Sequence, residues 1–251
     1  MLASVFVTLT LTAFATAVPQ KRQLAQVVSS CTQPNTVALT FVVSDALTSK
    51  GVKGTFFYNG NNYECIYDQA EIARVKYVFN AGHQVASHTW SHPDLTTLTW
   101  DQIDFKSMMR CGASNEVDVI IAYTEALQRI VGVVPAFMRP PYGNYNDLVL
   151  QASYIRGQKV VLWDFDSGDS VGASVQDSES TYDSTISQHP STLLALNHET
   201  YVTKNSYDVL PYAIEKLQAA GYNLVTLAEC LGESPYQSVG NAGVNDGSWS
   251  C

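Results

Sequence analysis

The sequence predicts an α/β fold around a parallel sheet, either closed as a barrel or layered as a doubly wound sheet. Three observations carry that expectation. Short apolar runs of strand type alternate with helical patterns, an order that joins parallel strands through helical crossovers. The 251 residues suit one domain, because α/β barrels near this size commonly have a single core. Hydrophobic residues make up 46% and charged residues 15% of the chain. That is an ordinary globular balance, and no internal run reaches the ~18 apolar residues of a membrane-spanning helix.

Thr36-Val37-Ala38-Leu39-Thr40-Phe41 reads as the first strand, since it lacks a charged or turn-forming break. A short helical stretch continues to Lys50, Gly51 stops it, and Gly54-Thr55-Phe56-Phe57-Tyr58 forms the second strand. Between Ile66 and Asn80 the apolar positions Ile66, Ile72, Val75, Val78 and Phe79 suit a helix. Ala81-Gly82 ends it, and His83-Gln84-Val85-Ala86-Ser87 follows as a strand. Thr99-Trp100-Asp101-Gln102 has a capping-box pattern: the threonine oxygen accepts an amide three residues on and the glutamine reaches back, so a helix starts there. Another helical pattern ends at Arg129-Ile130-Val131-Gly132. Beyond it come strand 136–138, a loop over 140–145, strands 159–165 and 192–196, helix 207–220 stopped by Gly221, and strand 223–227.

Residues 2–17 are apolar and end in Ala15-Thr16-Ala17, whose small side chains at alternate positions suit signal peptidase; 1–17 is the expected signal peptide. Lys21-Arg22 reads either as a dibasic processing site, making 18–22 a short propeptide, or as an exposed basic pair. The net charge of -9, with no other basic cluster, argues against nucleic acid and anionic membrane surfaces as partners. No Asn-x-Ser/Thr sequon occurs. Five cysteines in a secreted chain imply disulfides with one thiol left over, and spacing alone leaves their connectivity open.

In a barrel, polar residues at the carboxyl ends of the strands gather on one rim. His88-Thr89-Trp90-Ser91-His92 sets two imidazoles four residues apart just after a strand. That is metal-ligand spacing, although a catalytic zinc uses three protein ligands. The same pair also admits a plain reading, with one histidine capping a strand end and the other packed under a loop. Arg139-Pro140-Pro141-Tyr142, the acids Asp164, Asp166 and Asp169, and Asn197-His198-Glu199 follow later strands and converge on the same rim.

Taken in order, Thr40-Phe41, Ser87-His88-Thr89-Trp90-Ser91-His92, Arg139-Pro140-Pro141-Tyr142, Asp166-Ser167-Gly168-Asp169 and Leu196-Asn197-His198 resemble the motifs of the polysaccharide deacetylases, carbohydrate esterase family four. Cys31-Thr32-Gln33-Pro34, Asn59-Gly60-Asn61-Asn62 and Glu229-Cys230-Leu231-Gly232 are similar to the chitin deacetylase branch. The resemblance spans residues 31–251. It implies a deformed (β/α) barrel as a single domain over 31–232, with a C-terminal tail over 233–251. The implied activity is metal-dependent removal of acetyl groups from chitin or a related N-acetylated polysaccharide. A divalent metal, zinc by ligand type, acidifies water and polarises the acetyl carbonyl in such chemistry.

The resemblance assigns His88 and His92 as metal ligands, His198 as general acid, and Asp169 as the carboxylate that orients it. Arg139 matches the guanidinium that pairs with a catalytic aspartate, and Tyr142 the residue whose backbone N–H faces the oxyanion. Ser170 stands where the family's fourth motif ends in an aromatic, so Trp163 or Trp90 becomes the candidate wall for the acetyl methyl; Trp90 reads equally as core. Cys31 with Cys230, and Cys65 with Cys251, are the implied disulfides. The implied protein is a monomer, secreted or cell-wall-associated, with a glycan as its partner.

Two departures stand out. In the family the first strand's Thr-Phe runs into Asp-Asp-Gly, the source of the base and the third metal ligand, whereas this chain reads Thr40-Phe41-Val42-Val43-Ser44-Asp45. Asp45 belongs to the following helical stretch and is a poor replacement. The connection from His92 to Arg139 is also longer than the pattern, with the excess around residues 110–116 and the odd cysteine, Cys111, inside it. A deletion and an insertion together suggest a mis-assembled coding sequence. As written, the chain is expected to show little or no deacetylase activity. The competing readings are an inactive glycan-binding protein and an esterase acting on O-acetylated glycans.

Overall fold

The computed structural model describes residues 23–41, 47–48, 50–103, 121–198 and 206–251. The expected signal peptide, the 18–22 segment, Asp45, the insertion with Cys111, and Glu199 lie outside the described residues. No described helix is long and apolar enough to cross a membrane.

The chain opens with β1 (Val27–Val28), β2 (Thr36–Phe41), β3 (Thr55–Tyr58), α1 (Gln69–Asn80) and β4 (Gln84–Ser87). Next come α2 (Trp100–Ile103), α3 (Ile121–Val131), β5 (Val133–Pro135), β6 (Phe137–Met138), α4 (Asp147–Ile155), β7 (Lys159–Val161) and β8 (Phe165–Asp166). It closes with α5 (Val175–Ser187), β9 (Thr192–Leu196), α6 (Ser206–Ala219), β10 (Asn223–Val225), α7 (Leu227–Leu231) and β11 (Tyr236–Val239). Among the described residues nine strands form one sheet in the order β1-β7-β6-β4-β3-β2-β9-β8, with β10 added alongside β2. Every pairing in it is parallel. The run β2-β3-β4-β6-β7 keeps chain order, which is barrel topology rather than a doubly wound layer.

β2 lies at the centre. It pairs with β9 along one edge, and on the other with β10 at residues 36–38 and β3 at Thr40 and Phe41. All its residues are buried, which is why its apolar run shows no alternation. Successive residues enter different core clusters, as a period of two requires. Val37, Leu39, Phe56, Val85 and Ala195 pack outward with α1, α3 and α6, while Ala38, Phe57, Ala86, Phe137 and Leu194 form the inner cluster.

α7 plugs that inner cluster with Leu227, Ala228 and Leu231. Thr226 and Glu229 form its capping box. The Leu227 and Ala228 amides donate to Thr55 Oγ1 and Gln84 Oε1 at 2.8 and 2.9 Å. Strand 223–227 therefore ends at Val225, because Thr226 is already a helix cap. The Cys31–Cys230 disulfide ties α7 to the residues before β2, and Cys65–Cys251 ties the C-terminus to the loop after β3. Between them β11 pairs antiparallel with β5, and Trp249 packs on Tyr67 at 5.6 Å.

The sheet departs from the expected strand 159–165. Residues 162–164 leave the ladder and carry the chain from one end of the sheet to the other: the Leu162 amide donates to the Val28 carbonyl and the Asp164 amide to the Leu194 carbonyl. The barrel is thus closed by connecting chain at this point instead of by strand pairing. The helix expected from Ile66 starts at Gln69, after Asp68. β1, β5, β11, α4 and α5 were not among the expected elements; α4 buries Val149, Leu150, Ala152 and Ser153 behind its Asn146 cap, and in α5 only Ser178 and Tyr182 are buried.

Candidate active site

His88 follows β4, and its backbone amide donates to the Tyr58 carbonyl. Its ring Nδ1 lies 2.8 Å from the Arg139 carbonyl. A carbonyl only accepts, so Nδ1 carries the proton and Nε2 keeps the lone pair. Burial, then the neighbouring His92, lowers its pKa to about 3. His92 is lowered as well, chiefly by burial. The two rings meet edge to face at 4.7 Å, and Tyr142 lies against the far side of His92 at 4.8 Å.

This geometry requires unusual backbone. Thr89 and His92 have φ of 69° and 58°, the left-handed region that a β-branched residue such as threonine strongly disfavours. Asn59 holds the turn by donating to the His88 and Thr89 carbonyls at 2.5 and 3.2 Å, and Thr89 Oγ1 accepts from the His92 amide at 3.2 Å. Trp90 is buried and sits so close to Gly60 that a Cβ there would lie 1.9 Å from its ring. It packs against the loop after β3.

Arg139 follows β6 and is 4% exposed. Its guanidinium donates to Thr40 Oγ1 at 2.8 Å and to the Leu162 carbonyl at 3.0 Å. It lies over Phe57 at 4.3 Å and against Trp163 at 5.6 Å. Nε is buried without a hydrogen-bond partner, and among the described residues no carboxylate pairs with the charge. Burial lowers its pKa to about 9, so it stays charged at neutral pH. Thr40, which the ordered motifs contained without a role, thus fills part of the place of an acid.

His198 follows β9. Its ring Nδ1 is 2.8 Å from Asp169 Oδ1, and its backbone amide donates to Asp169 Oδ2 at 2.6 Å. The His198 side chain is 27% exposed and that of Asp169 is 1% exposed, so the carboxylate orients the ring from behind. Of the three acids near β8, Asp164 accepts from the Leu194 amide and Asp166 from the Gly168 amide. Only Asp169 holds a histidine among these three. Tyr142 is exposed with φ of 60° inside the short 3-10 turn Pro141–Gly143, and a Cβ on Gly143 would meet Trp163 at 2.9 Å.

The described side chains form a partial metal site. Two neutral imidazoles suit zinc, which binds such nitrogens at about 2.0–2.1 Å. They do not complete a three-ligand set: among the described residues no group of three or more His, Cys, Asp and Glu side chains could hold a metal. The arrangement supports no step routed through one.

A family model described as polysaccharide deacetylase matches residues 29–161. A chitin deacetylase from Pestalotiopsis sp is 34% identical, over 93% of this chain and 78% of that protein. The structure of the chitin deacetylase from Colletotrichum lindemuthianum aligns with a TM-score of 0.70 at 24% identity, covering 86% of this chain and 96% of that one. A CE4 family pseudoenzyme from Bacillus anthracis aligns with a TM-score of 0.67 at 18% identity, covering 82% and 69%. At these identities the two structures show a shared fold, the deformed barrel that the ordered motifs led us to expect. Matched by its family model and by a relative along most of its length, the chain belongs to the polysaccharide deacetylase family.

Proposed function

We propose that the protein is a secreted polysaccharide N-deacetylase acting on chitin-like N-acetylglucosamine polymers, with a divalent metal, zinc by ligand type, on His88 and His92. Its turnover is held low by the missing carboxylate half of the site. The observation that carries this reading is the His198–Asp169 pair at 2.8 Å, on the rim where His88 and His92 lie edge to face. Amide hydrolysis stalls unless the departing amine receives a proton. A histidine whose Nδ1–H is tied to a carboxylate offers Nε2 for that transfer. The Tyr142 backbone N–H is assigned to the carbonyl oxygen as charge develops, and Trp163 to the acetyl methyl.

No acid stands between Phe41 and Ser44 to take a proton from water. Loss of a general base costs about 10²–10⁴ in rate. Secretion is supported by the apolar leader and by two disulfides, which persist in oxidising compartments. We assign it the cell wall or extracellular space, as a monomer.

The test is acetate release from chitin oligomers by the chain as it stands and by a variant with Asp-Asp-Gly inserted after Phe41, both with added zinc. The insertion is expected to raise the rate by about 10² or more, and His198→Ala in that variant to remove most of the gain. Equal rates for parent and insertion variant would overturn the proposed role of the missing acids. A second reading, a glycan-binding protein without turnover, is favoured by the unpaired Nε of Arg139 and by the existence of a pseudoenzyme on this fold. Oligomer binding with no acetate release from either chain would select it. Activity on O-acetylated glycans alone would select an esterase.

A further inference from the structure

The His198–Asp169 pair is held from behind by one face of α5. Tyr182 is wholly buried and its hydroxyl donates to Asn197 Oδ1 at 2.7 Å. Asn197 immediately precedes His198, and its amide donates to the Thr40 carbonyl at 3.1 Å. Ser178 is also wholly buried, and its hydroxyl donates to the Ser167 carbonyl at 2.9 Å, two residues before Asp169. Ser178 and Tyr182 are four residues apart, so they share a helix face. A single turn of helix therefore pins both sides of the pair, the Asp169 loop through Ser178 and the His198 strand end through Tyr182.

Three features make this face more than packing. The two buried residues of α5 are Ser178 and Tyr182, with Val175 and Ile186 only partly buried against the core; both hydroxyls make a hydrogen bond to the segments flanking the pair. The helix start is fixed by the Ser174–Asp177 capping box, which sets the register of Ser178. The Tyr182 ring lies 4.4 Å from Phe165 on β8, so its hydroxyl direction is set by the sheet. A buried hydroxyl that loses its partner is costly, which favours one arrangement over loose alternatives.

We propose that Ser178 and Tyr182 are positioning residues that hold Asp169 and His198 in register, so that the His198 ring keeps its proton on Nδ1 and presents Nε2 to the rim. The proposal rests on the reading of His198 as the proton donor, and its test is chosen to work without turnover. Nitrogen-15 spectra of the imidazole rings in the full-length protein report the tautomer of neutral His198. In the parent it is expected to be almost entirely Nδ1–H, and in Asp169→Asn to move towards Nε2–H, since an amide can donate where a carboxylate only accepts.

Tyr182→Phe and Ser178→Ala each remove one oxygen. Each is expected to raise the Nε2–H population about fivefold, the scale of one lost hydrogen bond. Tyr212→Phe removes the bond to Asp183 on the exposed side of α5 and is the control. It is expected to leave the tautomer unchanged. A parent-like tautomer ratio in Tyr182→Phe and Ser178→Ala, with Asp169→Asn shifted, overturns the proposal. Should Tyr182→Phe fail to fold, Ser178→Ala decides by itself. Failure of the deacetylase reading appears separately, as absent acetate release with the tautomer shifts intact.

Discussion

Arg139 concentrates the consequences of the missing acids. A buried guanidinium is normally tolerable because a carboxylate offsets the loss of hydration, and breaking such a pair costs about 3–5 kcal/mol. Here Thr40 Oγ1 and the Leu162 carbonyl accept two of its N–H groups and Nε is left over. The charge has already lost what a paired arginine would lose. Arg139→Met is therefore expected to leave the melting temperature unchanged or to raise it, read by calorimetry at pH 7. A drop of the size seen when a buried ion pair is broken would mean that a carboxylate reaches Arg139 from outside the described residues.

At the scale of elements, strand ends and helix caps place the chemistry. His83 opens the segment leading into β4 and shows how such a junction responds to pH. It is buried, its Nδ1 accepts from the Gly54 amide at 3.2 Å, and its Nε2 lies 2.9 Å from Thr48 Oγ1. Burial, and secondarily Lys53, lowers its pKa from 6.5 to about 4. The unfolded chain therefore takes up a proton below pH 6.5 while the folded chain resists it until about pH 4. The stabilisation is fully present above pH 6.5. It falls through that window at up to about 1.4 kcal/mol per pH unit and is lost below the folded pKa. Denaturant melts of His83→Gln against the parent between pH 7 and 4 check this: the variant is expected to lose stability less steeply. Parallel curves would sink the assignment. The same logic of satisfied junctions explains α5, whose polar surface conceals two buried hydroxyl anchors.

For the molecule as a whole, two disulfides join distant parts of the chain. Cys31–Cys230 closes a sequence separation of 199 residues and anchors α7 inside the sheet. Cys65–Cys251 closes 186 residues and fastens the C-terminal strap beside the loop that carries Gly60. Loops this long lie at the upper end of chain-entropy stabilisation, with a typical disulfide contributing about 2–4 kcal/mol. Cys31→Ser with Cys230→Ser is expected to lower stability by about that amount or more, because α7 also plugs the inner cluster. Cys65→Ser with Cys251→Ser is expected to cost less, its strap lying on the outside. Calorimetry of the two double variants checks the order, and a reversed order would contradict the plug role of α7.

Much of the architecture was legible in the linear order of residues. Unbroken apolar runs such as Thr36–Phe41 mark strands buried on both faces, and the ordered motifs at successive strand ends pointed to the deacetylase family and its deformed barrel. The two absent acids after Phe41 were visible there too, since a missing residue type needs no coordinates. Other features depended on distance in space. The split of 159–165 arises because residues 162–164 bond to Val28 on one side and Leu194 on the other. α5 shows little apolar stripe because the buried positions between Val175 and Ile186 are the hydroxyl residues Ser178 and Tyr182. Periodicity reports which face of an element is apolar, and motif order reports which chemistry a chain carries. The ordered motifs already named Asp169 as the acid behind His198, but what stands beside Arg139 in place of a carboxylate, and that Ser178 and Tyr182 back the pair, depended on tertiary folding, because hydrogen bonds between segments far apart in sequence leave no local pattern.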